Sequence, residues 1–362
     1  MSNRRNQPSR KREATIKDVA LEAGVSPMTV SRVINRKGNV KQATLERIQK
    51  AIEKVDYQPN IGARRLSSGQ TYQFLMIFSN PNVSWIGELI IGVMHGCRDV
   101  GYHLLIEGVG DYEGETNETP IDYEEIARLI DRSRADGVIL PPPTCFDTQI
   151  LEIVKEQAIP CVRIAGTPMR DINLRVSIDN FAAAYEVGSH LISLGHENIA
   201  IVKGPDQYVA SALRYEGFAA SIRDHGLQLP PGNIETGKFD VRSGYTSARA
   251  LFRLENRPTA IFASNDEMAA GVLAAAQESG IRIPDQLSVA GFDDAHIAHS
   301  VWPKLTTIRQ PLKEMGEKSV EVLENHIRLH KGESVGQPQS NVILDYELKV
   351  RQSTGEKPVG KQ

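Results

Sequence analysis

From Thr15 onward apolar residues recur at helical spacing, with Ile16, Val19, Ala20 and Ala23 at i, i+3, i+4 and i+7. Gly24 stops that pattern. Ser26 is a good N-cap and Pro27 suits a first helical position. Val30, Val33 and Ile34 then make a second apolar stripe, which predicts a second helix. A third helix is predicted after Lys41-Gln42-Ala43-Thr44, with Leu45, Ile48 and Ile52 inward, until Tyr57-Gln58-Pro59-Asn60 breaks it. Residues 1–14 carry no apolar period and are expected to be disordered. Past Gln70 the texture changes. Strand-like runs at Tyr72–Phe78, Tyr102–Glu107, Gly137–Leu140, Cys161–Ile164, Ile199–Lys203, Ala260–Ala263 and Leu287–Ala290 alternate with helical stretches. Those helices are expected at Trp85–Val100, Ile121–Arg134, Phe146–Gln157, Phe181–Leu194, Ser211–Asp224, Arg242–Leu254 and Glu267–Ser279. Near-continuous apolar strands alternating with helices mean parallel sheets covered on both faces. About ten such units exceed one small sheet, so two doubly wound lobes in tandem are expected. The polar stretch 353–362, with Gly355, Pro358 and Gly360, is expected to be disordered.

Length agrees, since 362 residues correspond to two or three domains at roughly 100–200 residues each. The net charge of −3 argues against a nucleic-acid binder only until it is divided. Residues 1–69 carry 15 Lys and Arg against 6 Asp and Glu, a net +9, and the remainder carries 27 against 39, a net −12. A basic head on an acidic body is the pattern of a nucleic-acid-binding arm. Cys97, Cys145 and Cys161 are too few and too scattered for a disulfide framework or a thiolate zinc site. No apolar run reaches about 18 residues, and Met1–Arg12 lacks a signal-peptide core. A cytoplasmic protein without a membrane partner is therefore expected.

The chemistry concentrates first in Ile16–Asn35, which reads as helix, tight Gly-containing turn, helix. In a helix-turn-helix the second helix enters the major groove. Pro27, Met28 and Arg32 should face outward, with Arg32 able to read a guanine through its fork. Thr29, Ser31, Asn35 and Lys37 are of the types that hold phosphates and fix register. Thr15 and Ser26, at the helix starts, join that set. In the body, ligands of open α/β sheets bind beyond the carboxyl ends of strands. Ser79, Asn80, Arg214, Asn265, Asp266, Asp293 and Asp294 lie at or near such ends. Asp293–His299 offers two His three apart with no distant Cys/His cluster, so no metal is expected. Gly108-Val109-Gly110-Asp111-Tyr112-Glu113-Gly114 places its third Gly one position too late for a dinucleotide fingerprint, so no cofactor is expected. G-x-S-x-G, G-x-x-x-x-G-K-[ST] and H-E-x-x-H are all missing, and no acid/base pair can be placed, so an enzyme is not expected.

Asp18-Val19-Ala20 through Ser31-Arg32-Val33-Ile34-Asn35, then Tyr57-Gln58-Pro59-Asn60 and Ala63-Arg64-Arg65-Leu66, resemble the head and hinge of the LacI/GalR family of transcription regulators. The resemblance continues through His190–His196, Ser211–Phe218, Ala263-Ser264-Asn265-Asp266, Val289–Asp294 and Leu305–Ile308, and covers roughly residues 15–352. It implies a small all-α helix-turn-helix head on a body of two doubly wound parallel-sheet lobes, similar to periplasmic sugar-binding proteins. The expected divisions are a tail 1–14, a head 15–59, a hinge 60–70 and a body 71–352. Within the body, 71–177 and 306–338 are assigned to the N-lobe, and 178–305 and 339–352 to the C-lobe. The resemblance also implies that Leu66 wedges into the minor groove of a palindromic operator, with Ala63 against its dimer mate and Asn60 at the entry. By the same analogy Arg214, Asn265 and Asp293 hydrogen-bond a small effector, Phe239 stacks on its ring, and Trp85 and Asn80 contribute from the N-lobe. The implied protein is a homodimeric repressor of double-stranded operator DNA, switched by a sugar or glycoside. Purine-responsive members share the scaffold. Ala165 and Ser177 stand where some sugar-responsive relatives carry acids or aromatics, so the sugar itself stays open.

Overall fold

The computed structural model describes residues 14–34, 40–57, 70–79, 82–110, 121–165, 174–206, 208–336 and 339–358. The chain forms two compact units, 1–71 and 72–362.

The first unit holds three helices, α1 (Ile16–Ala23), α2 (Pro27–Ile34) and α3 (Gln42–Lys54). Thr15 starts α1, its backbone N–H and hydroxyl both donating to the Asp18 carboxylate at 2.7 Å. Gly24 ends the helix in the left-handed region, φ 63, which glycine reaches without the Cβ penalty. The Ser26 hydroxyl then accepts from Thr29 N–H at 3.1 Å, capping α2. Val19, Ala20, Ala23, Val30, Ile48, Ala51 and Tyr57 make the core. It is small, and the positions follow the apolar stripes of the sequence.

The second unit is built on two six-stranded sheets. Its elements are β1 (Gln73–Phe78), α4 (Val83–Val100), β2 (His103–Gly108), α5 (Tyr123–Ser133), β3 (Gly137–Leu140), α6 (Thr148–Glu156), β4 (Cys161–Ile164), β5 (Leu174–Ile178), α7 (Asn180–Ser193), β6 (Ile199–Lys203), α8 (Val209–Asp224), β7 (Ile234–Thr236), α9 (Val241–Phe252), β8 (Ala260–Ala263), α10 (Asp266–Glu278), β9 (Ser288–Asp293), α11 (His296–Ser300), β10 (Thr306–Arg309), α12 (Leu312–His330), β11 (Asn341–Leu344) and β12 (Glu347–Lys349). The N-lobe sheet runs β11-β5-β4-β3-β1-β2, all parallel, and the C-lobe sheet runs β12-β10-β9-β8-β6-β7 with only β12 antiparallel.

The lobe boundaries differ from the expected ones at two strands. β10 pairs with β9 and so belongs to the C-lobe, not the N-lobe, while β11 pairs with β5 and belongs to the N-lobe, not the C-lobe. The chain therefore passes between lobes three times, after β5, β10 and β11. Strands of four or five residues at these crossings leave no periodicity from which partners can be read. α12 does return to the N-lobe. It packs closely on α4: a Cβ on Gly92 would lie 2.0 Å from the Lys313 carbonyl oxygen, and one on Gly316 would lie 2.6 Å from that of Leu89.

The segment from Ser353 is not disordered as expected but packed. Ser353 is fully buried, its hydroxyl donating to the Val289 carbonyl at 2.6 Å and accepting from Thr306 N–H at 2.8 Å. The Gly355 carbonyl lies 3.0 Å from His196 Nε2, and Lys357 N–H donates to the Leu194 carbonyl at 2.8 Å. The polar Ser353 side chain completes backbone hydrogen bonds of β9 and β10 instead of facing solvent. Residues 359–362, like 1–13 and the hinge 60–69, lie outside the described residues. None of the described helices is long and apolar enough to cross a membrane.

Candidate functional site

Two places carry the chemistry. In the first unit, α2 buries Val30 completely and turns Pro27, Met28 and Arg32 outward, Met28 being 67% exposed. Thr29 and Ser31 are half-buried, and the Thr29 hydroxyl lies 2.9 Å from that of Ser26. Ser26 and Thr15 are exposed at the starts of α2 and α1. Val30 shares one buried core with Val19 and Ile48, which leaves the face expected to read DNA outward. Leu21, 84% exposed on α1, was not anticipated. Asn35, Lys37, Asn60, Ala63 and Leu66 lie outside the described residues.

The second place is the carboxyl end of the C-lobe sheet. Arg214, on α8, is buried, with Nε donating to Asn180 Oδ1 at 2.8 Å and Nη1 to the Ser264 carbonyl at 2.7 Å. Its guanidinium lies 3.6 Å from the Phe292 ring centroid. Stacking and hydrogen bonds together make a buried cation tolerable. Asp293, the last residue of β9, places Oδ1 3.7 Å from Arg214 Nη1. The same oxygen accepts from Gln310 Nε2 at 2.6 Å. Among the described residues, Arg214 Nη2 and Asp293 Oδ2 have no hydrogen-bond partner.

Burial dominates the electrostatics. It lowers the Arg214 guanidinium to about 10, against the upward pull of Asp293. It raises the Asp293 carboxyl to about 6, against the downward pull of Arg214 and Gln310. Asp266 stands well above the usual carboxylate range because it is buried beside Asp293, although Thr307 Oγ1 and Ala295 N–H donate to it at 2.6 and 2.8 Å. The backbone is strained at the same place, with φ 122 at Asp293 and 57 at Asp294. Such conformations persist where neighbours over-determine them. Here Gln310, the Asp266 carboxylate and the Arg351–Asp294 ion pair at 2.6 Å do so.

The other expected effector residues fare differently. Phe239, also left-handed at φ 63, is half-buried, edge-on to Tyr208 with centroids 5.3 Å apart, its tip against Gly204. It follows β7, beside the loop after β6. Asn265 is held by the fold. Its Oδ1 accepts from Met268 N–H and its Nδ2 donates to the Phe239 carbonyl, each at 3.0 Å, so it caps α10 and fixes Phe239 rather than offering free groups. Trp85 is a core residue, not a platform: it is 7% exposed among Phe74, Ile86 and Leu89, because it begins the buried stripe Trp85–Leu89–Val93 of α4. Asn80 lies outside the described residues. Asn180, Ser264, Phe292 and Gln310 were missed. Each flanks or ends a C-lobe strand or starts the helix after a crossing, so the strand-end rule reaches them once the topology is known.

Comparison with known proteins fits this geometry. Residues 15–60 match the bacterial regulatory proteins of the lacI family, and residues 189–354 match a periplasmic binding protein-like domain. The HTH-type transcriptional repressor PurR of Haemophilus influenzae (strain PittEE) is 32% identical over 94% of this chain and 98% of its own. The ribose operon repressor of Escherichia coli (strain K12) is 32% identical over 87% of this chain and 93% of its own. The crystal structure of the lac repressor dimer bound to operator and the anti-inducer ONPF superposes with a TM-score of 0.67 at 26% identity, covering 95% of this chain and 100% of that one. With residues 15–60 matching the family's head, two crossed-over lobes following in sequence and relatives 32% identical over nearly their whole length, the chain belongs to the LacI family of bacterial regulatory proteins.

Proposed function

We propose that this protein is a transcriptional repressor that binds a palindromic operator as a homodimer and is switched by a small polyhydroxylated effector at Arg214 and Asp293. The outward set on α2 supports base reading, with Arg32 on guanine and Thr29, Ser31 and Ser26 near phosphate. Two heads meet two half-sites, which requires two chains. Ile91 and Met94, exposed on α4, offer an apolar face for that pairing. The apolar residues of α12 are largely buried in its own chain.

The observation that carries the effector reading is the pair of open edges at the strand ends, Nη2 of Arg214 as donor and Oδ2 of Asp293 as acceptor. A guanidinium and a carboxylate side by side hold adjacent hydroxyls by charge-assisted hydrogen bonds, and Phe239 with Tyr208 supplies an aromatic wall. The same aromatic pair favours a second reading, a purine effector, since a flat heterocycle also stacks there. The effector moves the operator equilibrium only by its different affinity for the two states of the body.

The test has two steps. A duplex selected from a random library by the full chain should shift in a gel at a protein concentration that leaves a random duplex free. A thermal-shift screen of sugars, glycosides and purines should then find a ligand that raises Tm and changes operator affinity at fixed salt. A tight ligand that leaves operator affinity unchanged would refute the switch.

A further inference from the structure

His326 and His330 stand four residues apart near the end of α12. That spacing sets two side chains one above the other on a single helix face. The rings do meet, with centroids 4.1 Å apart at 44°. His330 Nδ1 donates to the His326 carbonyl oxygen at 2.9 Å. The bond fixes the tautomer and leaves the Nε2 lone pair of His330 available. A backbone carbonyl taking the other ring N–H is the usual second contact of a metal-ligating histidine. Neither ring nitrogen of His326 has a hydrogen-bond partner among the described residues. Burial, and then the neighbouring His330, lowers the His326 imidazole below its ordinary range, so it is neutral and able to ligate at neutral pH.

The surroundings suit a cation. Arg328, between the two in sequence, is turned to Glu324 and Glu333 at 3.7 and 2.8 Å, so its charge is compensated. The carbonyl end of the helix adds the negative end of its dipole. No group of three or more His, Cys, Asp or Glu able to hold a metal occurs among the described residues. The pair His296 and His299 differs. Its members are three apart, His296 Nδ1 lies 3.1 Å from Ser300 Oγ, and His299 Nε2 lies 3.1 Å from Asp294 Oδ1.

We infer that His326 and His330 form a two-imidazole site for a divalent transition-metal ion, Cu²⁺ before Ni²⁺ or Zn²⁺, with water in the remaining positions. The order is that of nitrogen ligands toward these ions. The spacing is that of the two zinc-binding histidines of H-E-x-x-H, but Ile327 stands where that motif has its general base. The site therefore binds without hydrolytic chemistry. It uses neither Arg214 nor Asp293 and stands whether or not the chain binds DNA.

The experiment uses the full chain without an affinity tag, stripped of metal with EDTA and dialysed. Equilibrium dialysis against Cu²⁺ and, separately, Zn²⁺ should give one saturable site, tighter for Cu²⁺. His330→Ala and His326→Ala should each weaken Cu²⁺ binding about tenfold or more. Electron paramagnetic resonance of the Cu²⁺ form should show two imidazole nitrogens in wild type and one in either variant. His330 is exposed, so His330→Ala serves if His326→Ala does not fold. The double variant His296→Ala/His299→Ala should bind as wild type does. A wild type with no saturable site overturns the inference. So does unchanged Cu²⁺ affinity in a folded His330→Ala, or an equal loss in His296→Ala/His299→Ala.

Discussion

Asp293 sets the chemistry of the proposed effector site by being a carboxylate in the wrong place for one. Burial holds its folded pKa near 6 against an ordinary 3.8. A raised carboxyl pKa means that the folded state takes up the proton more readily than the unfolded chain. Its contribution to stability is therefore complete below about pH 3.8 and is lost as pH rises through 6. Asp293→Asn removes this titration. Whatever its constant offset, which includes leaving Arg214 without its counter-ion, the Tm of wild type minus that of Asp293→Asn should fall as pH rises from about 4 to 6. Parallel Tm curves across that range would show that Asp293 titrates normally. At this scale the sequence was informative about identity and poor about role. Arg214 and Asp293 were legible as neighbours, because both were placed at the strand ends where the structure brings them within 3.7 Å of each other. Asn265 and Trp85 were not, because an Asn before a helix caps it whether or not a ligand exists, and a Trp on an amphipathic stripe is core unless topology opens it.

At the scale of the element, α2 turns Val30 into the core and Pro27, Met28 and Arg32 outward. Arg32 is exposed on the side opposite Val30, and a fork reading guanine there is worth about 1–3 kcal/mol of base discrimination. Arg32→Ala should therefore flatten the preference for the selected duplex. Lys37→Ala, which removes a proposed phosphate contact, should weaken selected and random DNA alike and reduce the slope of log affinity against log salt by about one. Quantitative gel shifts at three salt concentrations check both. Equal losses on both duplexes for Arg32→Ala would remove it from the base readers. Helices such as α1, α2 and α4 were legible from caps and stripes to within a few residues. β5, β7, β10, β11 and β12 were not, because polar or charged residues interrupt them (Arg175, Glu235, Thr306 and Thr307, Asn341, Glu347), whereas the equally short β3 and β8 are unbroken apolar runs.

For the whole molecule, the last described residues act as a strap on the C-lobe. Ser353 joins β9 to β10 by its side chain, and its own carbonyl accepts from Val289 N–H at 2.8 Å. Ending the chain at Gln352 leaves the N–H groups of Thr306 and Val289 without these acceptors. Each unsatisfied buried group costs about 1–3 kcal/mol, so the body should melt several degrees lower. A truncated chain whose calorimetric Tm matches wild type within a degree would show that the strap is dispensable. The division of charge into +9 and −12 belongs to this scale too. It places the salt dependence of DNA binding in the head and keeps the body acidic, so the overall −3 describes neither part.

The three crossings between lobes bear on synthesis. Among the described residues, the core of the head uses nothing later in the chain than Tyr57. Neither lobe enjoys that independence. The C-lobe sheet lacks β10 until residue 309 and β12 until residue 349, and the N-lobe lacks α12 and β11 until residue 344. A ribosome therefore displays a finished DNA reader on an unfinished body for most of translation, and both lobes close almost together at the end.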